Sequence, residues 1–196
     1  EEARALIKRL EDEQVESLRF ALLQARILLS RGERQAAVER VHGECLRRMA
    51  QNGVPDDAVL PALSFLRRIG EINVALELVE DTMDRVPPPR RSAWTHTWAL
   101  LHYEAGNYER ALEIIQDEAD DEDDADLAAL RVRCLMKSGR LAEAEHLLTQ
   151  ISRSDTSREL DLAEAELALA KRQWSRARRI CGLLLHKDPE LIQIGR

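Results

Sequence analysis

Apolar residues recur every three or four positions through most of the chain, a spacing typical of helices that bury one face. Residues 18–29 show the pattern clearly, because Leu18, Leu22, Ala25 and Leu29 fall on one side of a helix. No stretch alternates apolar and polar residues as a half-buried strand would. The chain is therefore predicted to be all-α.

Nine further helices are predicted from apolar spacing together with start and stop signals. Their predicted bounds are 36–49, 56–69, 73–86, 92–105, 108–117, 127–138, 141–151, 159–171 and 175–187. Ser92 is expected to cap the helix over 92–105, and the prolines at 87–89 are expected to form a stiff connector before it. Residues 154–156 are expected to cap the helix over 159–171.

A tight turn followed by an alanine five positions later occurs five times. The pairs are Gly32 with Ala37, Gly70 with Ala75, Gly106 with Ala111, Gly139 with Ala144, and Arg172 with Ala177. Successive turns are 38, 36, 33 and 33 residues apart, and a period of this size marks stacked helical hairpins. The alanines are predicted to lie where the two helices of a hairpin cross closely, because a larger side chain would separate the backbones.

These motifs resemble the tetratricopeptide repeat, a helix–turn–helix unit with small residues at the helix crossing. The strongest matches are Gly106-Asn-Tyr-Glu-Arg-Ala111, Gly139-Arg-Leu-Ala-Glu-Ala144 and Trp174-Ser-Arg-Ala177, and the resemblance covers roughly residues 18–189. It departs from the family at Arg172, which replaces the turn glycine, and in the longer early repeats.

The resemblance implies a right-handed α-solenoid of about five antiparallel helix pairs. Residues 1–16 are expected to be the last helix of a truncated preceding repeat, and residues 190–196 the stub of a following helix. The hairpins between them, within 17–189, are expected at 17–50, 55–87, 92–118, 124–152 and 157–188. Since the chain begins at Glu1 without methionine, we expect it to be a piece of a longer protein.

In this family the first helix of each pair typically lines a concave, partner-binding face. Counting from the turns, that face is expected to carry Arg19, Leu22, Arg26, Leu29, Leu60, Ser64, Arg67, Arg68, His96, Leu100, Tyr103, Arg133, Met136, Lys137, Leu162 and Glu166. One subclass grips a carboxylate terminus with asparagines and lysines at three set points. Here those points hold Arg26, Ser64 and Leu100, so that clamp is not expected.

The basic members of this set have two interpretations. They could line a groove for an acidic or amphipathic peptide, or they could be solvated charges on a helical face. The three tryptophans, Trp94, Trp98 and Trp174, could likewise be interface anchors, but aromatic residues more often pack between repeats.

The sequence gives little support for a metal-binding or catalytic site. The acidic run over 117–126 lacks the central glycine and final glutamate of a calcium loop, and is expected to be a loop whose aspartates favour the next helix. The five histidines show no metal-ligand spacing, and nucleophile, phosphate-loop and dinucleotide signatures are missing. We therefore expect no enzyme activity, no cofactor and no metal.

Composition limits the classes of partner and the cellular compartment that we expect. A net charge of −7 disfavours nucleic acid, whose phosphates require clustered Lys and Arg, and no stretch is apolar enough to insert in a membrane. Three cysteines, an odd number without C-x-x-C spacing, fit a reducing compartment, so a cytoplasmic location is expected. A periplasmic part of an envelope protein is the alternative.

Two functions follow. The first is a non-catalytic module that binds a peptide or partner protein on the concave face. The alternative is a scaffold or assembly arm of a larger bacterial-type envelope machine for polysaccharide export or secretion, with chemistry or anchoring outside this chain. Self-association through apolar end residues such as Leu6, Ile7, Leu191 or Ile194 stays open.

Overall fold

The computed structural model describes residues 18–52, 59–118, 124–151 and 157–187, and within them it contains ten α-helices and no strand. The helices are α1 (Leu18–Ser30), α2 (Arg34–Asn52), α3 (Leu60–Arg68), α4 (Ile72–Glu80), α5 (Pro88–Glu104), α6 (Tyr108–Glu118), α7 (Ala125–Lys137), α8 (Leu141–Gln150), α9 (Arg158–Ala170) and α10 (Trp174–Lys187). A short 3₁₀ helix, Met83–Arg85, follows α4. The predicted all-α, tetratricopeptide-repeat-like helical fold is confirmed.

The helices form five hairpins, numbered 1 to 5 here, and each hairpin is closed by a turn of three residues. In hairpin 1 the N–H of Gly32 donates to the carbonyl of Leu29, and the N–H of Glu33 donates to that of Leu28, both over 3.0 Å. The same two hydrogen bonds recur in the other four turns. They satisfy the last carbonyls of the first helix and require a left-handed residue in the middle of the pattern.

Glycine provides that conformation in hairpins 1 to 4, where its φ lies between 77° and 83°. In hairpin 5 the position belongs to Arg172, which adopts a φ of 57°. Its N–H and that of Gln173 make the same hydrogen bonds as in the glycine turns. The turn geometry is therefore kept without glycine, at the cost of a conformation that side chains with a Cβ disfavour.

The alanine five residues after each turn is buried. Ala37, Ala75, Ala111 and Ala144 have no exposed surface, and Ala177 is 3% exposed. Each lies in the first full turn of the second helix, and its N–H bonds to the carbonyl four residues earlier. Their burial agrees with a close helix crossing at this point.

The chain divides into two compact units, residues 1–97 and 98–196, with the boundary inside α5. Unit 1 buries side chains from its hairpins and from the start of α5, including Val41, Leu63, Leu78 and Trp94. Unit 2 buries a continuous apolar cluster from α5 to α9, including Ile114, Val132 and Leu167, with a smaller cluster between α9 and α10. Burial of this apolar surface is the main force that stabilises each unit.

Some predicted helix ends are wrong. Helix α5 begins at Pro88, four residues before the expected cap Ser92, because proline suits a first helical turn in which N–H groups have no partner. Only Pro87 precedes the helix, and its carbonyl accepts a hydrogen bond from the N–H of Arg90 over 3.0 Å. Helix α4 ends at Glu80, six residues before the expected end, and the chain then tightens into the 3₁₀ helix.

Two helices begin at side-chain caps. The carboxylate of Asp124 accepts hydrogen bonds from the N–H groups of Asp126 and Leu127, at 3.0 and 3.2 Å, which confirms the expected role of this aspartate at the start of α7. The hydroxyl of Ser157 accepts a hydrogen bond from the N–H of Leu160 over 3.1 Å at the start of α9. The caps expected at 154–156 lie outside the described residues.

Candidate partner-binding surface

The first helices of hairpins 1 and 2, α1 and α3, touch each other in unit 1. The predicted surface residues on them are not core residues. Arg19, Arg26, Ser64 and Arg68 are exposed, whereas Leu22, Leu29, Leu60 and Arg67 are half-buried. His96, on the part of α5 that belongs to unit 1, is half-buried as well.

Three arginines of this group are available to an acidic partner. Arg19, Arg26 and Arg68 form no ion pair with any residue of the described ranges. Leu22 and Leu29 are half-buried beside them on α1, so apolar and cationic groups alternate along one helix. A surface of this kind can bind an amphipathic segment with carboxylates.

Unit 2 brings two of the predicted residues into direct contact. Arg133 on α7 donates from Nε to Oε2 of Glu166 over 3.2 Å and from Nη1 to Oε2 of Glu159 over 3.1 Å. Both glutamates lie on α9, so the arginine joins the first helices of hairpins 4 and 5. Glu159 was not among the predicted residues.

The neighbouring charges alter the titration of this cluster. Burial lowers the pKa of Arg133, but attraction to Glu166 and hydrogen bonds to Glu159 outweigh burial and raise it overall. Burial raises the pKa of the Tyr103 hydroxyl, and the negative charge of Glu166 adds to this effect. Tyr103, Arg133 and Glu166 are therefore electrostatic neighbours, and the arginine charge is already compensated within the chain.

The other predicted residues of unit 2 are mainly apolar and partly covered. Leu100, Tyr103 and Met136 pack against the large core cluster, and Leu162 packs against the small one. Lys137 is exposed at the end of α7. This part of the predicted surface offers apolar contact together with Lys137, which forms no ion pair with a described residue.

Ion pairs between successive hairpins occur near the turns, and sequence reasoning missed them. In unit 1 Arg34 donates from Nε to Glu71 over 2.7 Å and also bonds the carbonyl of Ile69. In unit 2 Arg140 lies 3.4 Å from Glu109 of the preceding hairpin. Glu145 of hairpin 4 pairs with both Lys171 and Arg176 of hairpin 5. These partners are 26 to 37 residues apart, so no local pattern could reveal them.

The tryptophans differ in burial. Trp94 has no exposed surface, and Trp98 is half-buried against the core with the Arg110 guanidinium 5.5 Å from its ring centroid. Their predicted packing is confirmed. For Trp174 that expectation is wrong, because the side chain is 64% exposed. Helical spacing alone does not show whether a neighbouring element covers a face.

The described residues contain neither a candidate metal site nor a candidate membrane-spanning helix. No three His, Cys, Asp or Glu side chains there converge to form a cation site. None of the helices in these ranges combines the length and the apolar character needed to cross a bilayer.

The ten helices of the described residues form five hairpins, each with a buried alanine after a left-handed turn, and this arrangement defines a helical-repeat protein. Residues 102–160 match the family model of the tetratricopeptide repeat, and the chain is accordingly tetratricopeptide-repeat-like. The matched residues run from the end of α5 to the start of α9. No curated protein matches the chain significantly. The repeat suggests a protein–protein interaction module. Tetratricopeptide-repeat-like families are also generally non-catalytic.

Proposed function

We propose that the chain is a non-catalytic module that binds an acidic or amphipathic segment of a partner protein on the first helices of its hairpins. The observation that supports this most is the exposure of Arg19, Arg26 and Arg68 on α1 and α3, without an ion pair to any described residue. Unpaired arginines next to half-buried leucines offer charge-assisted hydrogen bonds and apolar contact to the same ligand.

The contrast with unit 2 indicates where acidic groups of the partner would bind. There Arg133 is neutralised by two glutamates, whereas Arg19, Arg26 and Arg68 of unit 1 form no ion pair with a described residue. We therefore assign recognition of carboxylates to unit 1.

Affinity for a single segment is expected to be moderate. A dissociation constant of about 1 μM corresponds to roughly −8 kcal/mol, a scale that a few arginine contacts and apolar anchors can supply. Since the arginines are solvent-exposed, binding should weaken as salt screens their charges.

The test is to select ligands from a random peptide library and to measure their affinity by calorimetry over a series of salt concentrations. The variant Arg26→Gln with Arg68→Gln should weaken selected acidic ligands about tenfold and flatten the salt dependence. The matched control is Arg31→Gln with Arg172→Gln, which removes two exposed arginines located in turns. Equal affinity of both double variants, or ligands without acidic residues, would contradict the proposal.

We further propose that the chain works in a reducing, cytoplasmic setting rather than as an arm of an envelope machine. Cys45 and Cys134 are buried free thiols, and burial raises the pKa of each to about 12. Unpaired cysteines are more common in reducing compartments. Fractionation of native cells with an antibody against the chain tests this, and recovery with the envelope fraction would favour the assembly-arm alternative.

A further inference from the structure

The last described helix, α10, and the turn before it have a charge unlike that of the rest of the chain. Residues 171–187 contain six Lys and Arg residues and no Asp or Glu, although the whole chain has a net charge of −7. Two of these six are used inside the fold, since Lys171 and Arg176 pair with Glu145. Arg178 and Arg179 are exposed on α10 and form no ion pair with the described residues.

Exposed apolar side chains are concentrated on the same helix. Six large apolar side chains are exposed in the described ranges, and α10 holds three of them: Trp174, Leu183 and Leu185. Trp174 is the most exposed of the six, at 64%. Tryptophan and arginine are the residues most enriched at the energetic centres of protein interfaces.

Some of these groups lie on one continuous face of α10. Trp174, Arg178, Cys181 and Leu185 are spaced four, three and four residues apart, so they follow one side of the helix. All four are exposed. The helix buries a different side, through Ala177, Ile180 and Leu184. Burial on that side positions α10 firmly and leaves the exposed face presented to solvent.

We propose that the face formed by Trp174, Arg178, Cys181 and Leu185, the α10 face, is a second docking surface for an amphipathic helix of another protein that carries carboxylates beside its apolar stripe. Trp174 and Leu185 would contact the apolar stripe, and Arg178 would pair with a carboxylate beside it. This surface lies on the second helix of its hairpin, so it is separate from the surface proposed above.

Charge argues for this occupant over two others. A second copy placed against the same face would bring Arg178 near its own counterpart with no acidic residue on α10 to compensate it. Binding to an anionic bilayer requires a broad apolar face, but the apolar side of α10 is already buried against α9. An acidic helix needs only the narrow face that remains.

Fluorescence anisotropy with a labelled model peptide tests the proposal on the full chain. The peptide is an amphipathic helix with leucines along one side and glutamates flanking them, and its matched control has lysine in place of every glutamate. We expect binding of the glutamate peptide only, weakened about tenfold by Trp174→Ala and by Arg178→Glu. Arg31→Glu makes the same charge change at an exposed turn position of hairpin 1 and should leave affinity unchanged.

Several results would overturn the proposal. They are no binding of the glutamate peptide at millimolar concentration, equal binding of the lysine peptide, or an affinity of the Trp174 and Arg178 variants equal to that of the parent chain. Co-sedimentation with phosphatidylserine vesicles that Arg178→Glu abolishes, without peptide binding, would replace the protein partner by a membrane. Because the side chains of Trp174 and Arg178 are exposed, thermal melts of these variants should match the parent. The loss of affinity caused by Trp174→Ala or Arg178→Glu should be the same when Arg26→Gln and Arg68→Gln are also present, which keeps the two surfaces experimentally distinct.

Discussion

Arg133 and Glu166 connect the first helices of two successive hairpins through a hydrogen bond of 3.2 Å between Nε and Oε2. Arg133 is 20% exposed, but the two carboxylates around it, those of Glu159 and Glu166, are nearly half exposed. Solvent therefore screens part of the attraction, and the pair is expected to orient α7 and α9 more than it stabilises them.

Replacing Arg133 with methionine, which keeps most of the volume, should lower the free energy of unfolding by about 1 kcal/mol. A double-mutant cycle with Glu166→Gln, followed by urea denaturation, isolates the pairwise contribution. Glu113→Gln serves as control, because its pair with Arg110 lies within one helix and is 50–60% exposed. A coupling energy no larger than that of the control pair would show that Arg133 does not link the helices energetically.

The alanines at the helix crossing can be tested with two neighbouring residues. Ala37 is fully buried and Ala36 is exposed in the same helix turn. Ala37→Arg should destabilise unit 1 by several kcal/mol, roughly 3 or more, because it overpacks the crossing and buries a charge. Ala36→Arg should change stability by less than about 0.5 kcal/mol. Similar melting temperatures for the two variants would refute the predicted crossing.

The left-handed turn of hairpin 5 offers a stabilising substitution. Arg172 has a φ of 57°, a conformation that costs side-chain-bearing residues about 1 kcal/mol. Arg172→Gly should remove this cost, but the greater freedom of glycine in the unfolded chain should offset part of the gain. The net increase in the free energy of unfolding should be about 0.5 kcal/mol. The reverse exchange, Gly139→Arg, should destabilise by about 1 kcal/mol. Chemical denaturation should show that the free energy of unfolding rises in Arg172→Gly and falls in Gly139→Arg. Changes of the same sign would exclude backbone strain as the cause.

Glu145 should make stability depend on pH. The hydrogen bond from Lys171 lowers the pKa of this carboxyl below its ordinary 4.5, with Arg176 adding to the effect. Since the pKa is lower in the folded chain, the stabilisation is complete above pH 4.5 and is lost as the pH falls through the folded value. Melting temperatures at successive pH values should fall less steeply for Glu145→Gln than for the parent in this acidic window. Glu33→Gln, an exposed glutamate outside these ion pairs, is the control.

The sequence was informative wherever a local rule decides the structure. A left-handed residue followed by alanine, as in Gly106 and Ala111, was enough to predict the turns and the buried crossings. The start of α5 was misjudged because Ser92 looks like a cap, while the prolines before it fit the first helical turn better.

The candidate surfaces were less predictable because they depend on contacts between distant residues. The partners of Arg133 are 26 and 33 positions away, so its neutralisation could not be read from the chain. Trp174 has the same helical spacing as a core residue, and its exposure depends on whether another element covers α10. Such coverage is a tertiary property, whereas periodicity describes one helix at a time.

The turns within the hairpins and the connections between hairpins differ in length. Every turn within a hairpin has three residues, whereas the connections from one hairpin to the next have six or seven. An inserted residue within a turn would move the following alanine away from the crossing. An addition between Ile151 and Ser157 leaves every crossing in register, so a reporter domain or an affinity handle grafted there should be accepted without loss of the array.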